Sequence, residues 1–363
     1  MDEDLVDRVR VASRACTRTV SGRPYRRPAE VFGELATACQ ELGIEEWDSY
    51  AERGAVTRVE SEVADLLGVE AAAFFPSGVM AQQAALRVWC DRAGTRRVAI
   101  PDLSHLLVHE LDGPRILQHL EVEHLTTGHT VATADHLAAL PGRLAAILVE
   151  VPLRDAGCLV PTYDELAALS AACRERGVRL HLDGARLWEA QTHLGRPLAE
   201  IAALADTTYV SFYKGLGGLA GAALAGAADV IEESRRWRRR MGGTLYRVTP
   251  EAVSALVGLR DRLPLMAECV SWARAMADAL PDHVTVQPAV PHTGTFRLYA
   301  AGDPDHVNAR LLAALEDDGL GLTPPWSPSP EPGRIVCEIA VHTDALELDP
   351  SEVARGIGAL LDG

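Results

Sequence analysis

The sequence predicts an α/β fold: a large domain with a mostly parallel central sheet covered by helices, followed by a smaller α+β domain. Three observations predict it. Short apolar stretches alternate with helical periodicity between residues 71 and 225, the pattern of strands buried on both faces and joined by helical crossovers. Ser77, His105, Asp183 and Lys214 each follow such a stretch, and in open parallel sheets reactive groups gather beyond the carboxyl ends of the strands. After Pro281 the pattern changes to short strands and turns around one helix. The expected organisation is an N-terminal arm over 1–30, a large domain over 31–250 and a small C-terminal domain over 251–363.

Residues 1–30 are polar and Arg-rich, with Pro24 and Pro28 as breakers, and read as an irregular arm. A helix is expected over 29–42, then a loop ending in Tyr50-Ala51-Glu52-Arg53-Gly54. Val56, Val59, Val63 and Leu66 stand at helical spacing, and Gly68 is placed to end that helix. Residues 71–75 form a short apolar strand that runs into Pro76-Ser77-Gly78-Val79-Met80 and a helix over 81–90. A small-residue turn at a helix N-terminus is a natural phosphate seat, although such turns also join ordinary βα units. Further strands are expected over 97–100, 145–151, 178–183 and 208–212, with 219–225 running back out. Residues 163–176 read as an amphipathic helix and 232–240 as a basic one; a helical stretch over 250–280 breaks near Pro264. In the last part, strands are expected over 284–286, 294–299 and 334–340, with a helix over 306–318. The Pro-rich stretch 324–330 reads as a lid or a connector.

Composition narrows the function. With 35 Lys+Arg against 51 Asp+Glu the formal charge is −16, which argues against nucleic acid, whose phosphates need a basic footprint. No apolar run reaches the length of a membrane span. The acidic start Met1-Asp2-Glu3-Asp4 has no apolar segment behind it, unlike a secretory signal. The seven cysteines are scattered without a CxxC pair, so zinc spacing is absent and reduced thiols in the cytoplasm are expected.

One residue dominates the chemistry. Lys214 is the only lysine among 363 residues. Unlike Arg, Lys can lose its proton and attack a carbonyl carbon. Placed between an apolar strand and Gly215-Leu216-Gly217-Gly218, Lys214 reads as a Schiff-base former. The common carbonyl partner, pyridoxal phosphate, asks for a lysine, a carboxylate at its pyridine nitrogen and a phosphate seat. Lys214, Asp183 and Ser77/Gly78 answer these in turn. Asp183 also reads as a helix N-cap, and His105 as a loop histidine. A serine hydrolase built on Ser77, His105 and Asp183 would lack the GxSxG elbow.

Here the chain resembles a known family. His181-Leu182-Asp183-Gly184-Ala185-Arg186-Leu187-Trp188 and Lys214-Gly215-Leu216-Gly217 are similar to signatures of the low-specificity L-threonine aldolases, in the aromatic amino acid β-eliminating lyase and threonine aldolase group. Pro76-Ser77-Gly78-Val79-Met80 resembles their phosphate turn. Asp48-Ser49-Tyr50-Ala51-Glu52 with Val56-Thr57-Arg58-Val59-Glu60 resembles their segment before the first core helix. The resemblance implies a fold-type-I pyridoxal 5'-phosphate enzyme of the aspartate aminotransferase-like architecture, acting on an amino acid as a homodimer or homotetramer. By carry-over, Lys214 forms the Schiff base, Asp183 faces the pyridine nitrogen and His105 stacks on the ring. Ser77, Gly78 and Val79 hold the phosphate. Arg186 sits near the phenolate and substrate, Arg334 takes the substrate carboxylate and Tyr50 lies at the substrate. Arg239 or Arg240 reaches a neighbour's phosphate.

Four departures concern the substrate side. The family's Ser-Asp-Thr-Val-Thr segment appears as Thr17-Arg18-Thr19-Val20-Ser21, without its Asp. Tyr213 replaces the Ser before the lysine. Glu150-Val151-Pro152-Leu153-Arg154 replaces Glu-Asn-Thr-His-Asn, and Arg334-Ile335-Val336-Cys337-Glu338 replaces Arg-Leu-Val-Thr-His. The activity implied is retro-aldol cleavage of a threonine-like β-hydroxy-α-amino acid to glycine and an aldehyde. The alternatives are β-elimination from another β-substituted amino acid and a noncatalytic protein on the same fold.

Overall fold

The structure is a computed structural model that describes residues 1–362. It separates into two compact units, one of Phe32–Pro264 and one in which Met1–Val31 joins the chain from Leu265 onward.

The first unit is built on a seven-stranded sheet. Its strands are β1 (Ala71–Phe75), β2 (Arg97–Ile100), β3 (Glu121–His124), β4 (Ala146–Glu150), β5 (Arg179–Gly184), β6 (Thr207–Ser211) and β7 (Ala222–Gly226). Their spatial order is β1-β7-β6-β5-β4-β2-β3. The five strands from β6 to β3 run parallel, and β7 runs antiparallel between β6 and β1. Every residue of β4, β6 and β7 is buried, as strands covered on both faces require. The expected strands are all present, and the run back out after Lys214 is β7. One strand, β3, was not expected. Its sequence Glu-Val-Glu-His is charged and half exposed, the composition of a protected sheet edge rather than a core strand.

Helices α1 (Gly54–Leu67), α2 (Gly78–Ala93), α3 (Tyr163–Arg176), α4 (Leu187–Leu194) and α5 (Ala228–Arg240) belong to this unit. Gly68 ends α1 in the left-handed conformation with φ 61°, where a side chain would be strained. On α2 the small residues Ala81, Ala84 and Ala85 pack in one cluster with Phe75, Leu224 and the large ring of Tyr209. The alanines leave room for that ring beneath the start of the helix.

In the other unit, a four-stranded antiparallel sheet runs in the order Ser327–Pro328, Arg334–Ala340, Thr295–Ala301 and Thr285–Gln287. The Pro-rich stretch is pinned. Trp326 is fully buried, its N–H donates to Asn308 Oδ1 at 2.8 Å and its carbonyl accepts from Asn308 Nδ2 at 2.9 Å. The first 30 residues correct the expectation of an irregular arm. Residues Glu3–Ala15 form a helix capped by Asp2, with Leu5, Val6 and Val9 buried, and Arg18–Thr19 pairs in parallel with Leu320–Gly321. The arginines face solvent, so composition alone obscured the narrow apolar stripe. Pro28 is the first residue of the helix Pro28–Glu41 rather than a breaker, a position where its missing N–H has no helical partner to lose.

Candidate active site

Four chain segments meet beyond the carboxyl ends of the parallel strands. Lys214 lies three residues past β6, in a turn closed by the Gly217 N–H to the Lys214 carbonyl at 3.0 Å and the Gly218 N–H to the Phe212 carbonyl at 2.7 Å. A Cβ on Gly218 would stand 3.0 Å from that carbonyl, so the tight turn favours glycine there. Burial and the Arg186 guanidinium push the Lys214 amine below the ordinary lysine range, while Asp183 and Glu150 oppose the shift.

Asp183 is buried at the end of β5, in register with Glu150 of β4 and Tyr209 of β6. Its Oδ1 accepts from the Ala185 N–H at 3.0 Å. Burial raises its pKa; Lys214, the Ala185 N–H and the Gln82 side chain work against that rise. Asp183 does not cap α4, whose N-cap is Arg186 without a side-chain cap bond. The carboxylate is therefore left to serve the cluster around Lys214.

Ser77 caps α2, its Oγ accepting from the Met80 N–H at 3.2 Å. At Gly78, an added Cβ would fall 2.0 Å from Tyr209 Oη and 2.3 Å from its Cζ. Only glycine fits there, and Val79 follows in the first turn of the helix. Tyr209 and Tyr213 act on each other's phenols, and burial raises both, Tyr209 well above its ordinary value.

His105 begins the short helix His105–Val108. Its Nε2 pairs with Glu110 Oε1 at 2.9 Å. Its ring centroid is 4.9 Å from that of His109, which pairs with Asp155 at 2.7 Å. Burial and Lys214 lower the His105 pKa; Glu110 and Asp183 raise it. Glu150 holds this segment in place. Its Oε1 accepts from Ser104 Oγ at 2.7 Å and from the His105 N–H at 2.6 Å. Burial and the Asp183 charge push the Glu150 carboxyl up to about 8.

The structure thus gathers Lys214, Asp183, His105 and Arg186 into one electrostatically connected cluster, with Tyr209 linking Asp183 to the Gly78 turn. Other expected site residues have different surroundings. Tyr50 is exposed, lies edge-on to Tyr246 and, with Arg239, lines a cleft of about 390 Å³. Arg240 stacks over Trp237. Arg334, in the C-terminal unit, donates to Thr285 Oγ1 at 2.7 Å and pairs with Glu331. Sequence reasoning gave no role to Glu150, Tyr209, Glu110 or His109. Glu150 carried one usable signal, a carboxylate ending an otherwise apolar strand.

This donor set fits pyridoxal phosphate. Lys214 is an amine of lowered pKa for the aldehyde, and Asp183 is a buried carboxylate for the pyridine nitrogen. The α2 start is a helix N-terminus with a glycine that lets a phosphate approach the backbone.

The comparisons agree. The β-eliminating lyase family model matches residues 31–302. The low-specificity L-threonine aldolase 1 of Arabidopsis thaliana is 29% identical over 281 residues, covering 73% of this chain and 77% of the relative. A Listeria monocytogenes structure provisionally assigned as an L-allo-threonine aldolase superposes with a TM-score of 0.90 at 34% identity, covering 99% of both chains. An Exiguobacterium structure provisionally assigned as an aromatic amino acid β-eliminating lyase/threonine aldolase gives 0.89 at 37% identity, over 98% of this chain and 99% of that one.

Proposed function

Because this chain belongs to the β-eliminating lyase family, we propose that it is a pyridoxal phosphate-dependent aldolase that cleaves a threonine-like β-hydroxy-α-amino acid to glycine and an aldehyde. One observation carries the reading: the sole lysine, its pKa lowered, stands in a cluster with the buried carboxylate Asp183 and the imidazole of His105.

Pyridoxal phosphate, when bound, supplies an electron sink for the pair left on Cα as the Cα–Cβ bond breaks. The side chains divide the remaining tasks. The lowered pKa of Lys214 keeps a fraction of its amine unprotonated, able to bond the cofactor aldehyde and to carry a proton. Asp183 keeps the proton on the pyridine nitrogen. The backbone N–H groups after Ser77, at Gly78 and Val79, take the phosphate. Arg186 neutralises oxygen charge near Lys214. His105, lowered in pKa and oriented by Glu110, accepts the proton of the substrate β-hydroxyl, directly or through a held water. Arg334 and Tyr50 belong to the substrate side of the same proposal, as does Arg239 or Arg240 for a neighbour's phosphate.

The proposal includes a homodimer or homotetramer in the cytoplasm. Exposed Trp47, Tyr50, Leu245 and Tyr246 support self-association. The seven cysteines form no disulfide among the described residues. No helix among the described residues is long and apolar enough to cross a membrane.

Borohydride reduction of the purified protein followed by peptide mass mapping tests the cofactor assignment. A visible band that disappears, leaving a phosphopyridoxyl mass on Lys214, is expected. Product analysis on L-threonine and L-allo-threonine then tests the bond broken. Glycine with acetaldehyde supports the aldolase reading, whereas ammonia with a keto acid and no glycine replaces it by β-elimination. No band and no adduct after incubation with excess pyridoxal phosphate would refute both.

A further inference from the structure

His109 has no task in the chemistry above, yet it is held as firmly as His105. The two residues stand one helical turn apart, and the His109 N–H donates to the His105 carbonyl at 3.0 Å. Their rings face each other at 4.9 Å with a tilt of 35°. Each Nε2 has its own carboxylate, Glu110 at 2.9 Å for His105 and Asp155 at 2.7 Å for His109.

The two carboxylates come from different places. Glu110 follows directly on the His105 segment, whereas Asp155 belongs to the turn Arg154–Ala156 beyond β4. That turn is rigidly seated. Ala156 and Cys158 are buried, and Leu153 and Leu159 exchange both backbone hydrogen bonds, at 2.8 and 3.2 Å. Asp155 therefore clamps His109 from a fixed point, and His109 presents its ring to His105. The charged groups acting on His105 are Lys214, Asp183, Glu110 and His109. Across the stacked rings His109 disfavours a proton on His105, whereas Glu110 favours one.

We propose that His109, clamped by Asp155, is a positioning residue that fixes the His105 ring and sets the lower pH limit at which His105 can accept a proton. This rests on the reading of His105 as the proton acceptor. His109 touches neither the cofactor lysine nor the reacting atoms in this assignment; it acts through the neighbouring imidazole.

The test is an NMR titration of ¹⁵N-histidine holoenzyme, with the His105 signals assigned through His105→Gln, alongside the pH profile of kcat/KM. His109→Phe keeps a stacked ring without charge, and His109→Gln removes the ring. Both should raise the His105 midpoint by about half a pH unit or more, and the acid limb of kcat/KM should move with it. Glu110→Gln should move the midpoint downward. His109→Gln, which also frees the ring plane of His105, should lower kcat several-fold with KM little changed, more than His109→Phe does. A purely structural role predicts no shift in His109→Phe. A midpoint within about 0.2 pH units of the native value in that variant overturns the proposal, as does a shift of the same sign in Glu110→Gln. The NMR readout does not depend on turnover. An inactive holoenzyme whose His105 shifts as expected would fail the aldolase reading alone, and an active one whose His105 stays put would fail this inference alone.

Discussion

Replacing Glu150 by Gln tests the electrostatic layout of the site without removing a contact. Glu150 Oε1 accepts from Ser104 Oγ and from the His105 N–H, and a Gln carbonyl oxygen can accept both. Only the ability to ionise is lost. In the cofactor-free protein the Glu150 carboxyl is pushed from an ordinary 4.5 up to about 8, first by burial and then by the charge of Asp183. Below pH 4.5 the carboxyl is protonated in both folded and unfolded chains, and above about 8 it is ionised in both. Between those limits the folded protein retains a proton that the unfolded chain has lost, so stability falls as pH rises. At about 1.4 kcal/mol for each pH unit the whole interval is worth about 5 kcal/mol, and about 3–5 kcal/mol once Asp183 and Lys214 readjust.

His181 gives the opposite slope. Buried and held down to about 3 from 6.5, it makes the folded state gain stability as pH rises from about 3 to 6.5. Wild type and variant share His181, so the difference between their curves isolates Glu150. Urea unfolding of cofactor-free protein at pH 5 and pH 9, combined with hydrogen exchange of the β4 and β5 amides, provides the measurement. Glu150→Gln should gain about 3–5 kcal/mol on wild type between the two pH values. Parallel curves, differing by less than about 1 kcal/mol, would show that Glu150 is ionised in the folded state and that the assignment of charge in the site is wrong.

Four further outcomes are expected. Lys214→Arg keeps the positive charge but cannot bond an aldehyde, so its absorbance spectrum with pyridoxal phosphate should match free cofactor, and borohydride should fix none. Asp183→Asn should lower turnover by about 100-fold or more, by analogy with the loss of a positioned proton partner, measured as glycine released per bound cofactor. Gly78→Ala places a methyl 2.0 Å from Tyr209 Oη; it should cost about 1–3 kcal/mol in stability and weaken cofactor binding in an absorbance titration. Tyr209→Phe should not rescue it, because Cζ remains 2.3 Å away. Asp48 is buried and accepts from the Val248 N–H at 2.9 Å, the Thr249 hydroxyl at 2.7 Å and the Ala51 N–H at 3.1 Å; Asp48→Ala should cost about 3 kcal/mol or more in urea unfolding, since three buried donors lose their acceptor.

What the sequence disclosed and what it hid have the same physical origin. Strands buried on both faces announce themselves as apolar runs, so β1, β2 and β4 to β6 were legible. The edge strand β3, with two glutamates and a histidine in four residues, was not. Lys214 stood out as the only lysine of the chain, and Asp183 because a strand end is a fixed address in a parallel sheet, readable from one chain segment. Glu150 and Tyr209 matter through their register with Asp183, a relation between strands 26 to 33 residues apart in sequence. The helix Glu3–Ala15 was concealed by arginines that point to solvent, although its buried Leu5, Val6 and Val9 were in plain view. His109 and Asp155 are 46 residues apart, and no local pattern couples them.

The two carboxylates side by side at the strand ends explain how one site can hold a structural acid and a chemical one. Burial raises both Glu150 and Asp183, and each charge disfavours the other to the extent that the environment allows. The environment is unequal. At Asp183, Lys214 is the strongest opposing influence, joined by the Ala185 N–H and Gln82. At Glu150, Lys214 is the weakest named influence, behind the bonds from Ser104 and His105. Lys214 therefore favours the charged form of Asp183 more than that of Glu150, the brace of His105, which burial and the Asp183 charge push up to about 8. Environments that push paired titratable groups apart are how enzymes assign different roles to like residues. Here the inequality follows from Lys214, the only lysine of the chain, which ranks first among the influences that oppose the rise at Asp183 and last among those at Glu150.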